Sequence, residues 1–198
     1  MSSDEPSTGT GYSSDLIRYS GLAAMLGGVL SILFAFVGEE NPTHVPLDAA
    51  RYVLLVVGLI GLHMYLRQSD RYGRLGQVGF FICIFVFALI AILDIGLLIN
   101  EGVEQWYIAL GPVRGPLLII GLLLFGAATL RTGRLSRGGA WLLITAAITT
   151  ILGIIVMIVS GGTWAWVWVV PTVLFGLGWL WLGYEIWSAG HISLARAR

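Results

Sequence analysis

One acidic residue, Asp94, lies inside a long apolar segment and is the strongest candidate for chemistry in this sequence. An ionisable side chain at the centre of a bilayer costs roughly 2.5 kcal/mol or more. Residues at helical spacing on the same stripe include two small ones: Gly79, Cys83, Phe87, Ile90 and Asp94. Small residues mark contacts between membrane helices. We therefore expect the Asp94 carboxyl group to face the protein, near Arg114, Arg51 or a Tyr or Thr hydroxyl.

Two interpretations of Asp94 follow from its position. It is either a proton or cation site, or a structural carboxylate that pairs locally or reaches headgroup water. The first interpretation predicts a cavity lined by Asp94 and by Thr145 and Thr149 of a later segment, extending toward Glu185. The candidate ion or proton site therefore comprises Asp94, Arg114, Arg51, Thr145, Thr149 and Glu185.

The other polar residues inside apolar segments have simpler explanations. Glu185 is expected to pair with an arginine from a neighbouring loop, either Arg131 or Arg67. His63 lacks a second histidine at clearly matching depth, which a haem held between two helices would need. No spacing of His, Cys and Asp approaches a metal-ligand set, and no nucleophile elbow or phosphate loop is present. The sequence predicts no cofactor, no metal and no enzymatic activity.

The elements that must position these residues are six apolar runs. The chain is 57% hydrophobic and only 11% charged, whereas soluble domains are about 25% charged. The runs are Leu16–Val37, Ala49–Leu66, Leu75–Ile99, Val113–Leu130, Gly138–Val159 and Trp164–Trp187. Each reaches, or nearly reaches, the ~20 residues that cross a ~30 Å hydrocarbon core. Because a backbone in lipid must satisfy its own hydrogen bonds, we predict an all-α bundle of six transmembrane helices.

Composition divides the chain into three parts. Residues 1–14 are polar, rich in Ser, Gly and Thr, and slightly acidic, which is typical of a disordered tail. This tail has no basic region of the secretory-signal type, so the first apolar run is expected to remain as a membrane helix. The six-helix domain is predicted over residues 15–190, with a short cytoplasmic tail at 191–198.

The arginines predict the orientation. Nine of them fall in the termini and the even-numbered loops, and only Arg51 and Arg114 fall on the opposite side. The positive-inside rule then places both termini in the cytoplasm. We expect anionic lipid headgroups to contact the inner-loop arginines, which are Arg67, Arg71, Arg74, Arg131, Arg134 and Arg137. With zero net charge, nucleic acid is not an expected partner.

All eleven basic residues are arginine and none is lysine. We interpret this usage as the codon bias of a GC-rich prokaryotic genome, so the expected location is a prokaryotic cell membrane. The pattern of Gly-Arg-Leu inner loops between Gly-rich apolar hairpins resembles small multi-pass membrane proteins of bacteria and archaea. That resemblance assigns no functional residue.

A short turn motif recurs between the apolar runs. Gly73-Arg74-Leu75 and Gly133-Arg134-Leu135 each follow a Leu-Arg pair, and Gly190-His191-Ile192 is a weaker third copy. A recurring motif at nearly constant spacing predicts a repeated structural unit. The unit here would be a two-helix hairpin, present in three parallel copies.

Small residues indicate where helices pack. They cluster on the first, fifth and sixth apolar runs, at Ala23, Ala24, Gly27, Gly28 and Ser31, at Thr145, Thr149 and Gly153, and at Gly176, Gly178 and Gly183. Such faces pack within one bundle or against a second copy or another membrane protein. The leading functional prediction is a non-enzymatic structural, accessory or regulatory membrane protein. The alternative is a transporter of small solutes, ions or protons that uses Asp94.

Overall fold

A computed structural model describes residues 11–37, 41–161 and 166–196. These residues form six helices, and no strand occurs among them. The helices are α1 (Gly11–Phe34), α2 (His44–Leu66), α3 (Gly73–Ile99), α4 (Glu104–Thr132), α5 (Arg137–Ser160) and α6 (Trp166–Arg196). Short 3-10 helices, Asp70–Tyr72 and Glu101–Val103, precede α3 and α4. The prediction of an all-α chain with six helices is confirmed.

All six helices are long and apolar enough to cross a membrane. Their outward faces carry large apolar side chains that remain exposed, for example Phe81, Ile92, Trp141 and Val159. In water such a surface would favour aggregation, whereas in a bilayer it contacts acyl chains. Length, composition and surface therefore agree with a multi-pass membrane protein.

The helices form a closed ring in chain order. Each helix packs on the next one along the chain, and α6 returns to pack on α1 in the most extensive contact of the bundle. Neighbouring helices are antiparallel. In the α3–α4 pair, for example, Gly79 meets the backbone at Phe125 while Gly121 meets Cys83. The loops consequently alternate between two ends, named here for their acidic residues as the Asp94 end and the Glu185 end.

Four glycines bring the backbones of α1 and α6 into direct contact. A Cβ atom on Gly28 would lie 2.5 Å from the carbonyl oxygen of Gly176, and one on Gly176 would lie 2.6 Å from that of Gly28. Gly21 and Gly183 form the same reciprocal contact two turns away. Such close approach allows dispersion contact and weak Cα–H···O bonds, which hold helices together in lipid. The predicted small-residue faces of the first and sixth runs thus meet inside one chain.

A layer of aromatic rings fills the centre of the ring. The Trp179 ring is fully buried, with centroids 5.7 Å from Phe87, 6.1 Å from Phe175 and 6.4 Å from Phe125. These four residues, from α3, α4 and α6, are called the aromatic layer below. Offset and edge-to-face aromatic pairs add about 0.5–1.5 kcal/mol each beyond their burial. The layer closes the bundle between the Asp94 end and the Glu185 end.

Four helices extend by several residues beyond the apolar runs that predicted them, and α2 does so by beginning at His44 instead of Ala49. Helix α4 begins at Glu104, well before Val113, so most of the expected third loop is helical. Helix α1 begins at Gly11 and α6 continues to Arg196, so parts of both predicted tails are helical, while residues 1–10 lie outside the described residues. Extending an existing helix avoids the cost of nucleation, and this explains why hydropathy alone underestimates helix length.

Helix α4 also continues through Pro112 and Pro116. A proline removes one backbone hydrogen bond, and its ring disfavours helical geometry for the preceding residue. In both cases that residue is a glycine, Gly111 or Gly115, which has no Cβ to meet the ring. The Gly-Pro pairs thus let the helix proceed where another residue would bend or end it.

The three turns predicted as repeats have different local structures. Gly133 ends α4 in the left-handed conformation, with φ 61° and ψ 11°. Gly73 instead opens α3, with φ 53° and ψ −167°. Gly190 lies within α6 rather than in a turn. The recurring letters therefore do not specify one recurring turn, and the three-hairpin repeat stays a prediction.

The α1–α6 contact predicts that Gly28→Ala destabilises the protein. Its methyl group would meet the backbone of α6, so the helices must separate, at a cost of about 1–3 kcal/mol. The thermal unfolding midpoint in detergent should fall. Val29→Ile, which adds one methylene at an exposed neighbouring position, should leave the midpoint unchanged. Equal midpoints for the two variants would contradict the close α1–α6 contact.

Candidate functional site

Polar side chains from α2, α3 and α4 converge at the Asp94 end. The structure places Asp94, Arg51 and Arg114, three of the predicted site residues, in one electrostatically interacting group, and adds Asp48 to it. The starts of α2 and α4 and the end of α3 meet here because neighbouring helices are antiparallel. Two acids and two arginines give this group zero net formal charge when all four are ionised.

Arg51 is held by several partners. Its Nε donates to Oδ1 of Asp48, three residues earlier on α2, and the two side chains form a buried ion pair. Its Nη2 lies 3.4 Å from the Tyr52 hydroxyl. Its Cζ lies 3.7 Å from the centroid of the Phe34 ring of α1, which is cation–π geometry. Arg51 is therefore satisfied within the protein and links α1 to α2.

Asp94 is more deeply buried than any other member of the group. Its residue is only 1% exposed, and among the described residues its Oδ2 has no hydrogen-bond partner. Its carboxyl group lies within hydrogen-bonding range of the Asp48 side chain. Two carboxylates cannot bond to each other without a proton or cation between them. Asp94 thus faces the protein interior, and its burial is compensated only in part.

Arg114 differs from Arg51 in having free donors. Its Cζ lies 3.7 Å from the centroid of the Tyr107 ring, two turns earlier on α4. Its Nη1 is buried, and in the part of the chain that the structure describes it has no hydrogen-bond partner. The guanidinium is therefore oriented by an aromatic ring while part of its hydrogen-bonding capacity remains unused. The Arg114 residue is only partly buried, whereas Arg51 is buried and keeps its ion pair with Asp48.

A cavity of about 660 Å³ opens beside this group. Ligand pockets in proteins usually measure about 300–1,000 Å³, so the volume suits a small molecule. Its polar lining comes mainly from α2 and α4, and α6 completes the wall. The lining includes His44, Asp48, Arg51, Tyr52, Tyr107, Arg114, Trp168 and Thr172. Asp94 is absent from this lining and lies behind it.

A second cavity, of about 210 Å³, continues from the first toward the centre of the bundle. The two share lining residues, among them Tyr52, Gly115 and Thr172. The deeper one is mostly apolar, with Ile119, Leu122, Ala146, Pro171 and Phe175 in its wall. It ends at Phe175, which belongs to the aromatic layer. The combined space is therefore polar near the Asp94 end and apolar at its floor.

The two predicted threonines of α5 do not line either cavity. Thr145 is exposed, and the half-buried Thr149 donates its hydroxyl to the carbonyl oxygens of Thr145 and Ala146. The next residue, Thr150, faces the deeper cavity. One position on a helix corresponds to a rotation of about 100°, and the expected face was wrong by that amount.

Glu185 lies at the opposite end, beyond the aromatic layer. Its Oε2 accepts a hydrogen bond of 2.8 Å from the backbone N–H of Ser136, and its Oε1 accepts one of 2.7 Å from Trp181 Nε1. Ser136 precedes the first turn of α5, where the helix dipole favours a negative charge. Among the described residues no arginine forms an ion pair with Glu185, so the expected pairing with Arg131 or Arg67 was wrong. Glu185 instead ties α6 to the start of α5.

The six arginines expected to contact headgroups are all exposed at the Glu185 end. Arg134 also donates to the carbonyl oxygen of Tyr65 at 3.2 Å and to Gln68 Oε1 at 2.9 Å. It therefore complements the C-terminal end of α2. His63, nearby on α2, bonds to the Tyr72 hydroxyl at 2.9 Å and stacks on Phe80 at 3.8 Å. These contacts give His63 a packing role.

Sequence reasoning missed Asp48, Tyr52 and Tyr107. The signal for Asp48 was present: it precedes Arg51 by three residues in the first turns of a helix, a spacing that brings opposite charges together. Tyr107 precedes Arg114 by seven residues, so both lie on one face of a continuous helix. The predicted apolar runs end at Ile99 and resume at Val113, so the sequence did not assign Tyr107 and Arg114 to one continuous helix.

Six helices long and apolar enough to cross a membrane are compatible with a multi-pass membrane protein. No protein-family model matches the chain, and neither the curated proteins nor the solved structures include a match. Any more specific function has to be argued from the site.

Replacing Asp48 or Asp94 by asparagine should change the free energy of unfolding in different directions. Asp48→Asn leaves the Arg51 cation buried without its counter-ion, which should cost about 3–5 kcal/mol. Asp94→Asn supplies an N–H donor toward Asp48 and should be neutral or stabilising by up to about 1–3 kcal/mol. Exposed Asp70→Asn is the control, and unfolding in detergent is the measurement. A loss at Asp94→Asn as large as that at Asp48→Asn would make Asp94 a structural ion pair.

Proposed function

We propose that this protein is a non-enzymatic integral membrane protein that binds a small ligand in the cavity at the Asp94 end. The observation that carries this proposal is the 660 Å³ cavity, whose wall includes an aromatic-stacked Arg114 with an unused buried donor. Binding would make the protein regulatory or accessory in character.

The arrangement of polar groups supports binding rather than catalysis. Asp48 and Arg51 neutralise each other, and the remaining polar groups of the larger cavity are the His44 imidazole, the tyrosine and threonine hydroxyls, the Trp168 ring and Arg114. No three His, Cys, Asp or Glu side chains among the described residues group closely enough to hold a metal ion. Groups of this kind orient a ligand by charge and shape.

Transport of a proton or small ion through Asp94 is the second candidate. It is favoured by the contact between the Asp94 and Asp48 carboxyl groups, which a proton or cation would stabilise. The aromatic layer opposes it, since Trp179 and its neighbours fill the centre between Asp94 and Glu185. Transport would require this layer to open.

Cysteine labelling tests how far the cavity extends. Thr172→Cys, in the cavity wall, should react with a water-soluble maleimide, because the reaction needs a solvated thiolate. Three thiols should stay unreactive: Val170→Cys on the exposed outer face of α6, Thr129→Cys one turn beyond the aromatic layer, and the native buried Cys83. An unreactive Thr172→Cys would contradict the ligand-binding proposal. A reactive Thr129→Cys would support transport.

We further propose that the protein lies in a prokaryotic cell membrane with both termini in the cytoplasm, and that exposed arginines at the Glu185 end contact anionic headgroups. The asymmetry of arginines between the two ends supports this orientation. In intact cells an impermeant maleimide should then label Thr172→Cys, whereas Arg71→Cys should react only after permeabilisation. The reverse pattern would invert the proposed topology.

A further inference from the structure

The lining charges of the two cavities are distributed unevenly. Asp48 is occupied by Arg51, and Asp94 lies behind the wall, so neither acid presents a free carboxylate to the space. Arg114 lines the larger cavity and forms no ion pair among the described residues. Although the group is formally neutral, the donors that a ligand would meet are therefore cationic. This favours an anion over a cation as the occupant.

The geometry of Arg114 indicates which class of anion suits the cavity. A guanidinium offers planar, paired N–H groups that match the oxygens of a carboxylate or phosphate. Stacking on Tyr107 fixes the plane of the guanidinium and lowers the entropy lost on binding. The Tyr52 and Tyr107 side chains line the same space.

The deeper cavity indicates what is attached to the anion. It begins at the shared residues Gly115, Leu118 and Thr172 and passes between α4, α5 and α6, with walls of leucine, isoleucine, alanine and proline. A free inorganic anion would leave this apolar space unfilled. A hydrocarbon chain joined to the anion would fill it and tighten binding about fourfold for each buried methylene.

We propose, on the basis of the ligand-binding function proposed above, that the cavity binds an anionic amphiphile. Its carboxylate or phosphate headgroup bonds to Arg114, and its apolar chain enters the deeper cavity as far as Phe175. The ligand comes either from the bilayer, as an acidic lipid, or from solution, as a single-chain amphiphile. Both have the same headgroup and chain chemistry.

The test measures the affinity of the full-length protein, in a neutral detergent, for four probes. Decanoate and decyl phosphate carry both parts of the ligand, 1-decanol carries the chain alone, and inorganic phosphate carries the headgroup alone. Decanoate and decyl phosphate should bind about ten- to a hundredfold more tightly than 1-decanol, since a charge-assisted hydrogen bond contributes that factor. Both should also bind at least about tenfold more tightly than inorganic phosphate, since burial of the hydrocarbon chain adds to their affinity.

Two variants, each with a matched control, separate this inference from the proposed function. Arg114→Gln should bring decanoate down to the affinity of decanol, whereas Arg131→Gln, at an exposed site of the Glu185 end, should change nothing. Thr172→Phe fills the space shared by both cavities and should abolish binding of every probe. Val170→Phe, on the exposed face of the same helix, is its matched control.

The outcomes are distinguishable. If Thr172→Phe abolishes binding but decanol binds as well as decanoate, or Arg114→Gln has no effect, the cavity binds a ligand but the anionic class is wrong. If inorganic phosphate binds as tightly as decyl phosphate, the ligand needs no hydrocarbon chain and that part of the inference is wrong. If no probe binds and Thr172→Cys is unreactive to maleimide, the proposed function itself fails. Competition by phosphatidylglycerol, with none by phosphatidylcholine, supports the inference and assigns the ligand to the bilayer; competition by neither supports a soluble amphiphile.

Discussion

Close approach of helix backbones at small residues is the constraint on which this structure depends. Lipid supplies no hydrophobic force between apolar helices, so the bundle holds together where carbonyl groups and Cα atoms meet. The reciprocal contacts of Gly28 with Gly176 and of Gly21 with Gly183 close the ring by joining its first and last helices. This closure brings Trp179 to the centre and Thr172 beside α4. Both the aromatic layer and the cavity wall follow from it.

The two arginines of the polar group at the Asp94 end make different contacts. Arg51 has a structural role, because it pairs with Asp48 of the same helix and its contact with Phe34 ties α1 to α2. Arg114 makes one aromatic contact and keeps a free donor. The two arginines were equivalent as residue types at helix starts, and only their neighbours distinguish them. The binding proposed for the cavity therefore depends on Arg114, which has fewer partners within the protein than Arg51.

Much of the fold, and part of the site, could be predicted from the sequence. Apolar run length gave six helices, because hydrogen bonding in lipid leaves few alternatives. The burial of Asp94 followed from its small-residue stripe. The inward face of α5 could not be predicted, since Thr149 and Thr150 are the same residue type and only packing decides which one faces the cavity. The start of α4 at Glu104 was also not predicted, because polar residues and Pro112 precede the apolar run that begins at Val113.

The aromatic layer determines how the cavity can exchange its ligand. Because the aromatic layer closes the floor of the cavity, the proposed ligand would enter and leave on the Asp94 side of this layer. Occupancy of the cavity would then follow the concentration of ligand on that side. No gradient across the membrane can be coupled to such a site while Trp179 and its neighbours stay packed. Under the binding function proposed above, occupancy of the cavity would report the concentration of the ligand, and the protein would move no solute across the membrane. Ligand binding would then act through a change in the stability of the protein or in its contacts with neighbouring molecules.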